Sequence, residues 1–445
     1  MELSGLLEDG LPVTVLAGAG LSAAPPTCLP GWWALNDAVL GALGGALERV
    51  TGRPGLSDGF RGAIRQRRDT TRFLMPDLQA QLLEDELGPA YFQALTSVDS
   101  GDTNAAHHLL AELARQGRLG AVLTTNFDCT IERAFRAAGV AYRLYASPGD
   151  FERLDEVAAP VPIVKIHGSA DRPETMVDTL RQRLQGRSAA LEQWLHRRFT
   201  RFPTIGVGFS CEDLQYDPDY LEIRPAARDG ARFCFLVREG EEPSAPLQRL
   251  AAELPQRVFL AAGVLPAWLF EVARALGAAH AIPEPTAPAT HDVAKRRARA
   301  AQRLEESLAA WAASLGPMNA LNAVTALLTA AGHRHDADHL SRRMWKFYRA
   351  PDDCTGPAYA RYLHNRGEVL LRQGRFHNGH DPETDFVSWK AAADLGPRQF
   401  FDRAVREGGT EHTRARALLC EFLAGGGVRE LLGRAAGLLE TLSAP

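Results

Sequence analysis

The chain reads as an α/β protein with a mainly parallel sheet followed by an all-α C-terminal domain, and three observations predict it. Short β-branched runs alternate with longer amphipathic segments up to about residue 280. A stretch rich in proline and small residues, Ile282-Pro283-Glu284-Pro285-Thr286-Ala287-Pro288-Ala289-Thr290, then separates two compositions. Beyond it, apolar residues recur at three- and four-residue spacing. At 445 residues two domains are expected, placed at 1–281 and 292–445 with a linker over 282–291.

The strands are predicted at Val13–Ala17, Ala121–Thr125, Ile163–Ile166, Thr204–Val207, Arg232–Val237 and Arg257–Leu260. Helical periodicity covers Trp33–Val50, Pro76–Leu95, Thr103–Gln116, Thr130–Ala138 and Ser188–Arg201 between them. The interval from 30 to 120 is too long for one crossover helix, so a helical insertion is expected to cover one side of the sheet. In the C-terminal region, helices are expected over 292–313, 318–331, 335–348, 357–373, 397–407, 411–424 and 428–442, in the manner of a helical-hairpin array. The stretch from Tyr362 to Phe376 resembles one helix-turn unit of a tetratricopeptide repeat, without a clear 34-residue period.

Composition bounds the partners. With 45% hydrophobic and 23% charged residues the chain is an ordinary globular protein, and a formal net charge of -4 gives no global attraction to nucleic acid or an anionic membrane. The basic run Lys295-Arg296-Arg297-Ala298-Arg299 with Arg303 is soon followed by Glu305 and Glu306 and is read as a solvated helix face, so direct nucleic-acid binding is not expected. The six cysteines, at 28, 129, 211, 234, 354 and 420, form no C-x-x-C pair, which argues against a zinc cage or disulfide framework and for a reducing cytoplasm. The histidines at 333, 335 and 339 lack a carboxylate–histidine motif, and no metal is expected. The N-terminus lacks a signal-peptide pattern, and the longest apolar run, Val258 to Phe270, is interrupted by Gly263 and Pro266, so no membrane segment is expected.

Chemistry concentrates at strand ends. After the first strand, Gly18-Ala19-Gly20-Leu21-Ser22-Ala23 fits G-x-G-x-x-A, in which glycines let backbone amides approach a pyrophosphate; a tight strand-to-helix turn holding no ligand would look the same. A nicotinamide dehydrogenase would need an acidic residue about 20 positions on, at the end of a second strand. Asp37 has that count but lies in a helical pattern. Two later strand ends carry polar groups, in Thr124-Thr125-Asn126-Phe127-Asp128 and in Lys165-Ile166-His167-Gly168. An amide and an imidazole in those places suggest that a bound molecule is acted upon.

With Gly208-Phe209-Ser210 added, four motifs in this order resemble those of the sirtuin superfamily, over roughly residues 10–280. The chain departs from the protein deacylases of that superfamily: Pro30-Gly31-Trp32-Trp33 stands where they have a Pro-Asp-Phe-Arg loop, and no four-cysteine zinc module exists. It is more similar to the zinc-free sirtuin-like domains of bacterial anti-phage defence proteins, which hydrolyse NAD. That resemblance implies a Rossmann-like fold with NAD as substrate. It implies that Asn126 positions the attacking water or ribose hydroxyls, that His167 is the general base, and that Asp128 contacts the nicotinamide amide beside Thr125. By the same resemblance Gly18, Ala19, Gly20 and Ser22 cradle phosphates, while Gly208 and Ser210 hold the adenosine side.

Plainer roles compete at each position. His167 alone would read as a hydrogen-bonded core histidine, Asn126 as an Asx turn and Asp128 as the cap of the helix starting near Thr130. Asp213 could reach an adenosine ribose, cap a turn or face solvent, and Cys129 reads as a core thiol. Taken together, the expectation is a cytoplasmic NAD glycohydrolase (NADase), yielding nicotinamide and ADP-ribose as the effector of anti-phage defence by abortive infection. A homo-oligomer is expected, with activation by assembly, a helicase-like ATPase or a phage-derived trigger. Two alternatives are an NAD-dependent deacylase or ADP-ribosyl transferase, and a non-catalytic protein that senses NAD or ADP-ribose and recruits a partner.

Overall fold

The computed structural model describes residues 6–7, 10–71, 74–99, 101–154, 160–215, 217–278, 290–344, 356–372 and 397–406, with 413, 414 and 417. Its centre is a seven-stranded sheet in the order β3-β4-β2-β1-β5-β6-β7. The strands are β1 (Val13–Ala17), β2 (Leu119–Thr124), β3 (Tyr142–Tyr145), β4 (Val161–Lys165), β5 (Thr204–Val207), β6 (Phe233–Arg238) and β7 (Val258–Gly263). Every pairing is parallel. The chain leaves β1 toward β2 on one side and returns to pair β5 on the other, so the order reverses at β1. A crevice at the carboxyl ends of strands beside such a reversal is where open α/β sheets bind ligands.

Central strands of such a sheet are apolar on both faces because helices cover both. Val13, Val15 and Ala17 pack with Leu109, Leu110, Leu113, Phe135, Leu269 and Val272, from helices Ala105–Arg115, Thr130–Ala137 and Leu265–Ala275. Leu16, Ala121 and Leu123 face the other way, toward Trp194, Leu195, Phe199, Ile223 and Leu250. Period-two alternation along β1 thus feeds two cores at once. Gly206 in β5 is a packing glycine, since a Cβ there would fall on the Phe235 ring.

Six strands lie where the sequence predicts them, within two residues at either end except that β7 runs three residues further, to Gly263; β3 was not expected. It is a four-residue edge strand with Arg143 and two partly exposed residues, too short and too polar to stand out from a loop. Pro76–Leu95, predicted as one helix, is two: Pro76–Leu87 ends at Gly88, which takes a left-handed φ of 57°, and Pro89 starts the next. A glycine that tolerates positive φ followed by a residue without an N–H ends a helix.

The described residues divide into two compact units, Met1–Leu35 with Phe92–Ser307, and Asn36–Tyr91 with Leu308–Pro445. The insertion is helical as expected, and residues 36–91 fall in the same compact unit as the C-terminal helices, while helices of the first unit pack on both faces of the sheet. Inside the second unit, helix Gly316–Ala331 packs against Leu56–Thr71, Pro76–Leu87, Arg334–Met344 and Gly356–Arg372. Its apolar stripe, Leu321, Val324, Leu327 and Leu328, recurs at helical spacing and is buried. The helix expected over 428–442, that over 411–424 apart from residues 413, 414 and 417, and the expected linker apart from its last residues lie outside the described residues. No helix among the described residues is long and apolar enough to cross a membrane.

Candidate functional site

A cavity of about 1190 Å³ opens at the carboxyl ends of the strands in the first unit. All ten residues singled out from the sequence line it: Gly18, Ala19, Gly20, Ser22, Thr125, Asn126, Asp128, His167, Gly208 and Ser210. Residues from four distant parts of the chain meet there because β1, β2, β4 and β5 are consecutive neighbours in the sheet apart from the central reversal.

The glycines allow backbone to touch backbone. A Cβ on Gly18 would strike the Gly208 carbonyl oxygen, and one on Gly20 would lie 2.6 Å from Gly208 Cα. Gly208 itself has a φ of +60°, and its Cβ would run into Leu21 N. The amides of Gly18 and Gly20 donate to Val207 O at 3.0 Å and Gly208 O at 2.9 Å. These two N–H groups are therefore spent between the β1 and β5 turns, and what the glycines present to the cavity is a smooth wall.

The opposite wall is made of side chains that hold one another. Asn126 Nδ2 donates to Gly18 O at 3.1 Å and its backbone N–H to Thr124 Oγ1 at 3.0 Å, which orients the carboxamide across to the glycine turn. Asp128 Oδ2 accepts from Ser22 Oγ at 3.0 Å, while Oδ1 accepts from the backbone N–H of Thr130 at 3.1 Å and from Thr130 Oγ1. Asp128 thus does serve the start of helix Thr130–Ala137, as the plainer reading held, and lines the cavity as well.

Beneath them lies His107, which sequence reasoning passed over. Its Nδ1 accepts from the N–H of Asn104 at 3.1 Å, closing a capping box at helix Ala105–Arg115. That leaves the proton on Nε2, which donates to Thr130 Oγ1 at 3.0 Å. Burial lowers this imidazole to about 4, so it is neutral. Asn104 Nδ2 donates to Leu21 O at 2.8 Å and ties the same helix start to the glycine turn. The signal in the sequence was Asn104 three residues before His107 at the start of an apolar-periodic run.

Lys165, of the Lys165-Ile166-His167-Gly168 motif, is a clamp. Its fully buried Nζ donates to the carbonyls of Phe127 at 2.9 Å and Asp128 at 2.7 Å and pairs with Glu132 at 3.1 Å. Burial opposes its charge, but the facing Glu132 carboxylate outweighs burial and holds the amine protonated. This ammonium ties the loop carrying Asn126 to β4, and the Ala170 N–H adds a bond to Phe127 O at 2.8 Å. Cys129 beside it is a core thiol, pushed up by burial to about 11.

His167 is 3% exposed. Gly168 follows it at a φ of +85°, where a Cβ would strike Thr175 O, so the turn after the histidine requires glycine. Burial drives the imidazole well below its ordinary value, and Arg183 and Arg187 add to this; Asp213 and a hydrogen bond to the Thr125 backbone oppose it. Nε2 has no hydrogen-bond partner, so the bond to Thr125 falls to Nδ1. A neutral ring with its free lone pair on Nε2 is a proton acceptor at neutral pH.

Three further residues that were given no role from the sequence line the cavity. Arg183 pairs with Asp213 at 2.7 Å, and its guanidinium lies 4.7 Å from the Trp32 ring centroid. Trp32 Nε1 in turn donates to Asp178 Oδ1 at 2.8 Å. Arg296 and Arg297, from the run read as a solvated face, are indeed exposed but also line the cavity.

Residues 120–245 match the family model described as a SIR2-like domain. This is the part of the chain that runs from β2 through the start of helix Ala245–Glu253, including Asn126, His167 and Gly208. The chain therefore contains a sirtuin-like domain, and the match supports an NAD-related function, since SIR2-like domains use NAD. No curated protein matches the chain.

Proposed function

We propose that the protein hydrolyses NAD to nicotinamide and ADP-ribose. The observation that carries this reading is the placement of Asn126 and His167 on one cavity with the glycine turns of β1 and β5. At about 1190 Å³ that cavity exceeds the roughly 300–1,000 Å³ usual for small-molecule sites, which suits a dinucleotide.

Nicotinamide leaves readily because its ring is already cationic, so little acid catalysis is needed. The difficulty is the oxocarbenium-like ribose and the entry of water. In this reading Asn126, held by Gly18 O, orients the water or the ribose hydroxyls, and His167 Nε2 takes the proton released. Such a base contributes about 10²–10⁴-fold. Gly18, Ala19, Gly20 and Ser22 take the phosphate side, Gly208 and Ser210 the adenosine side, and Thr125 and Asp128 the nicotinamide.

Purified protein incubated with NAD, with products separated by chromatography, tests the assignment. Free ADP-ribose is expected from wild type, and Asn126→Ala and His167→Ala should each lose about 10²–10⁴-fold. Accumulation of a modified peptide instead of ADP-ribose would favour a deacylase or transferase, and unchanged turnover in both variants would end the reading. Unrestrained NAD loss would harm a host, so the activity is placed in cytoplasmic anti-phage defence, released by homo-oligomerisation, a helicase-like ATPase or a phage-derived trigger. Full-rate hydrolysis independent of protein concentration and of infection would remove this regulatory part.

A further inference from the structure

Resting on that reading, we propose that Asp213, held by Arg183, is a positioning residue that supplies the counterion of His167 when its ring takes up a proton. His167 Nε2 stands 3.4 Å from Asp213 Oδ1, out of hydrogen-bond alignment and with no other partner. In the neutral ring with Nδ1 on the Thr125 carbonyl, this sets a lone pair beside a carboxylate, an arrangement that becomes attractive only once Nε2 is protonated.

Among the described residues, the surroundings favour Asp213 for this role. Arg183 and Arg187 are cations, and Arg187 lies over the Tyr220 ring, 4.0 Å from guanidinium carbon to centroid, while donating to Ile166 O at 2.7 Å. Tyr220, whose ring centroid is 6.2 Å from that of His167, is raised by burial and stays a neutral phenol. Cys211 is fully buried and its thiol, pushed up by burial, is neutral too. Among the described residues, the charges that act on an imidazolium formed here are the Arg183 and Arg187 guanidiniums and the Asp213 carboxylate.

The local backbone is built to hold that carboxylate in place. Cys211 takes a left-handed φ of 60°, costly for a non-glycine residue, and starts the short 3-10 turn Glu212–Leu214 that carries Asp213. Arg183 Nη1 donates to Oδ1 at 2.7 Å, and Arg183 is itself stacked on Trp32. Burial alone would raise the Asp213 carboxyl, but the hydrogen-bonded Arg183 guanidinium, with Arg187 behind it, holds it below its ordinary value even while the His167 ring is neutral.

The proton step then balances. A water O–H bond breaks as Nε2–H forms, and the oxygen keeps its electron pair for the new bond to the ribose anomeric carbon. The carbon–nitrogen bond to nicotinamide breaks with its pair returning to the pyridine ring. His167 becomes an imidazolium paired with Asp213 and later releases the proton to solvent.

The test follows the rings of the full-length chain by NMR with ¹⁵N-labelled histidine, His167→Gln identifying the resonance, in wild type, Asp213→Asn and Asp213→Glu. The wild-type ring should carry its proton on Nδ1 at neutral pH. Asp213→Asn should make it about a tenfold weaker base, lower kcat about 10–100-fold with KM within about twofold, and move the acid limb of the pH–rate profile to lower pH. Asp213→Glu should recover part of each change. An identical His167 titration in wild type and a folded Asp213→Asn, or a wild-type proton on Nε2, would overturn the pairing. Should Asp213→Asn fail to fold, a titration unmoved in Asp213→Glu counts against the pairing and a shifted one for it. Lack of NAD turnover by wild type both as purified protein and in infected cells would sink the proposed reaction alone, because the ring titration judges the pairing without it.

Discussion

Along the β1–β5 side of the cavity the wall is backbone pressed on backbone, whereas along the β2–β4 side it is a set of side chains that hydrogen-bond to one another. The first wall has no slack because Gly18, Gly20 and Gly208 already touch. The second is saturated: Lys165, Glu132, Asp128, Thr130, Ser22 and His107 are all engaged, and His167 Nε2 is the conspicuous exception. The difference teaches where chemistry can reside. A steric wall shapes a ligand, while a satisfied polar wall can hold one reactive atom unsatisfied at small cost to the fold.

The largest effect that would break this picture is expected at the clamp. Lys165→Met leaves the Glu132 carboxylate buried without its partner, and denaturant unfolding should show a loss of about 3–5 kcal/mol. The double variant Lys165→Met/Glu132→Leu should recover most of it; no recovery would mean that the ammonium serves chiefly the Phe127 and Asp128 carbonyls. On the steric wall, Gly208→Val adds atoms where Leu21 N sits and forces a side chain at positive φ, for an expected loss of about 2–4 kcal/mol. Gly31→Ala is the control, since it lines the same cavity with open space around it and should unfold like wild type.

Smaller effects sharpen the contrast. Asn104→Ala removes a helix cap and the bond to Leu21 O and should cost about 1–2 kcal/mol by the same assay. Acid should act on the polar wall through His107, whose folded value of about 4 lies below the ordinary 6.5. The unfolded chain then binds the extra proton more readily, so this contribution is complete above about 6.5 and lost as pH falls toward 4. Glu86, raised by burial to about 7, gives the opposite slope between its ordinary range and neutrality, so the two must be separated. Urea midpoints across pH 4–7 for wild type and His107→Gln should differ by one proton's worth of slope, and parallel curves would show that His107 does not titrate there.

Much of this site was legible before any coordinates. Gly18, Gly20, Gly208 and Gly168 were visible because a close approach or a positive φ leaves glycine as the only comfortable residue. Asn126 and His167 were visible because each directly follows an apolar run of strand length, and polar groups at strand ends have few other reasons to recur. Arg183 and Asp178 were not legible, and Trp32 was visible only as part of the Pro30–Trp33 loop, because nothing in their own neighbourhoods of sequence marks a guanidinium that will be sandwiched between an indole and a carboxylate from elsewhere. Asp213 was visible as a residue but not as a role: its partner is set by the turn that starts at Cys211.

Sequence by itself determined the local elements, their two-faced apolar patterning and the identity of the groups at the strand ends, since each of these depends on residues within a few positions of one another. Only the tertiary structure decided that β5 lies beside β1, that residues 36–91 cluster with the C-terminal helices, and that His167 meets Asp213. Those outcomes depend on which distant surfaces bury each other best, a competition that no local stretch of chain records.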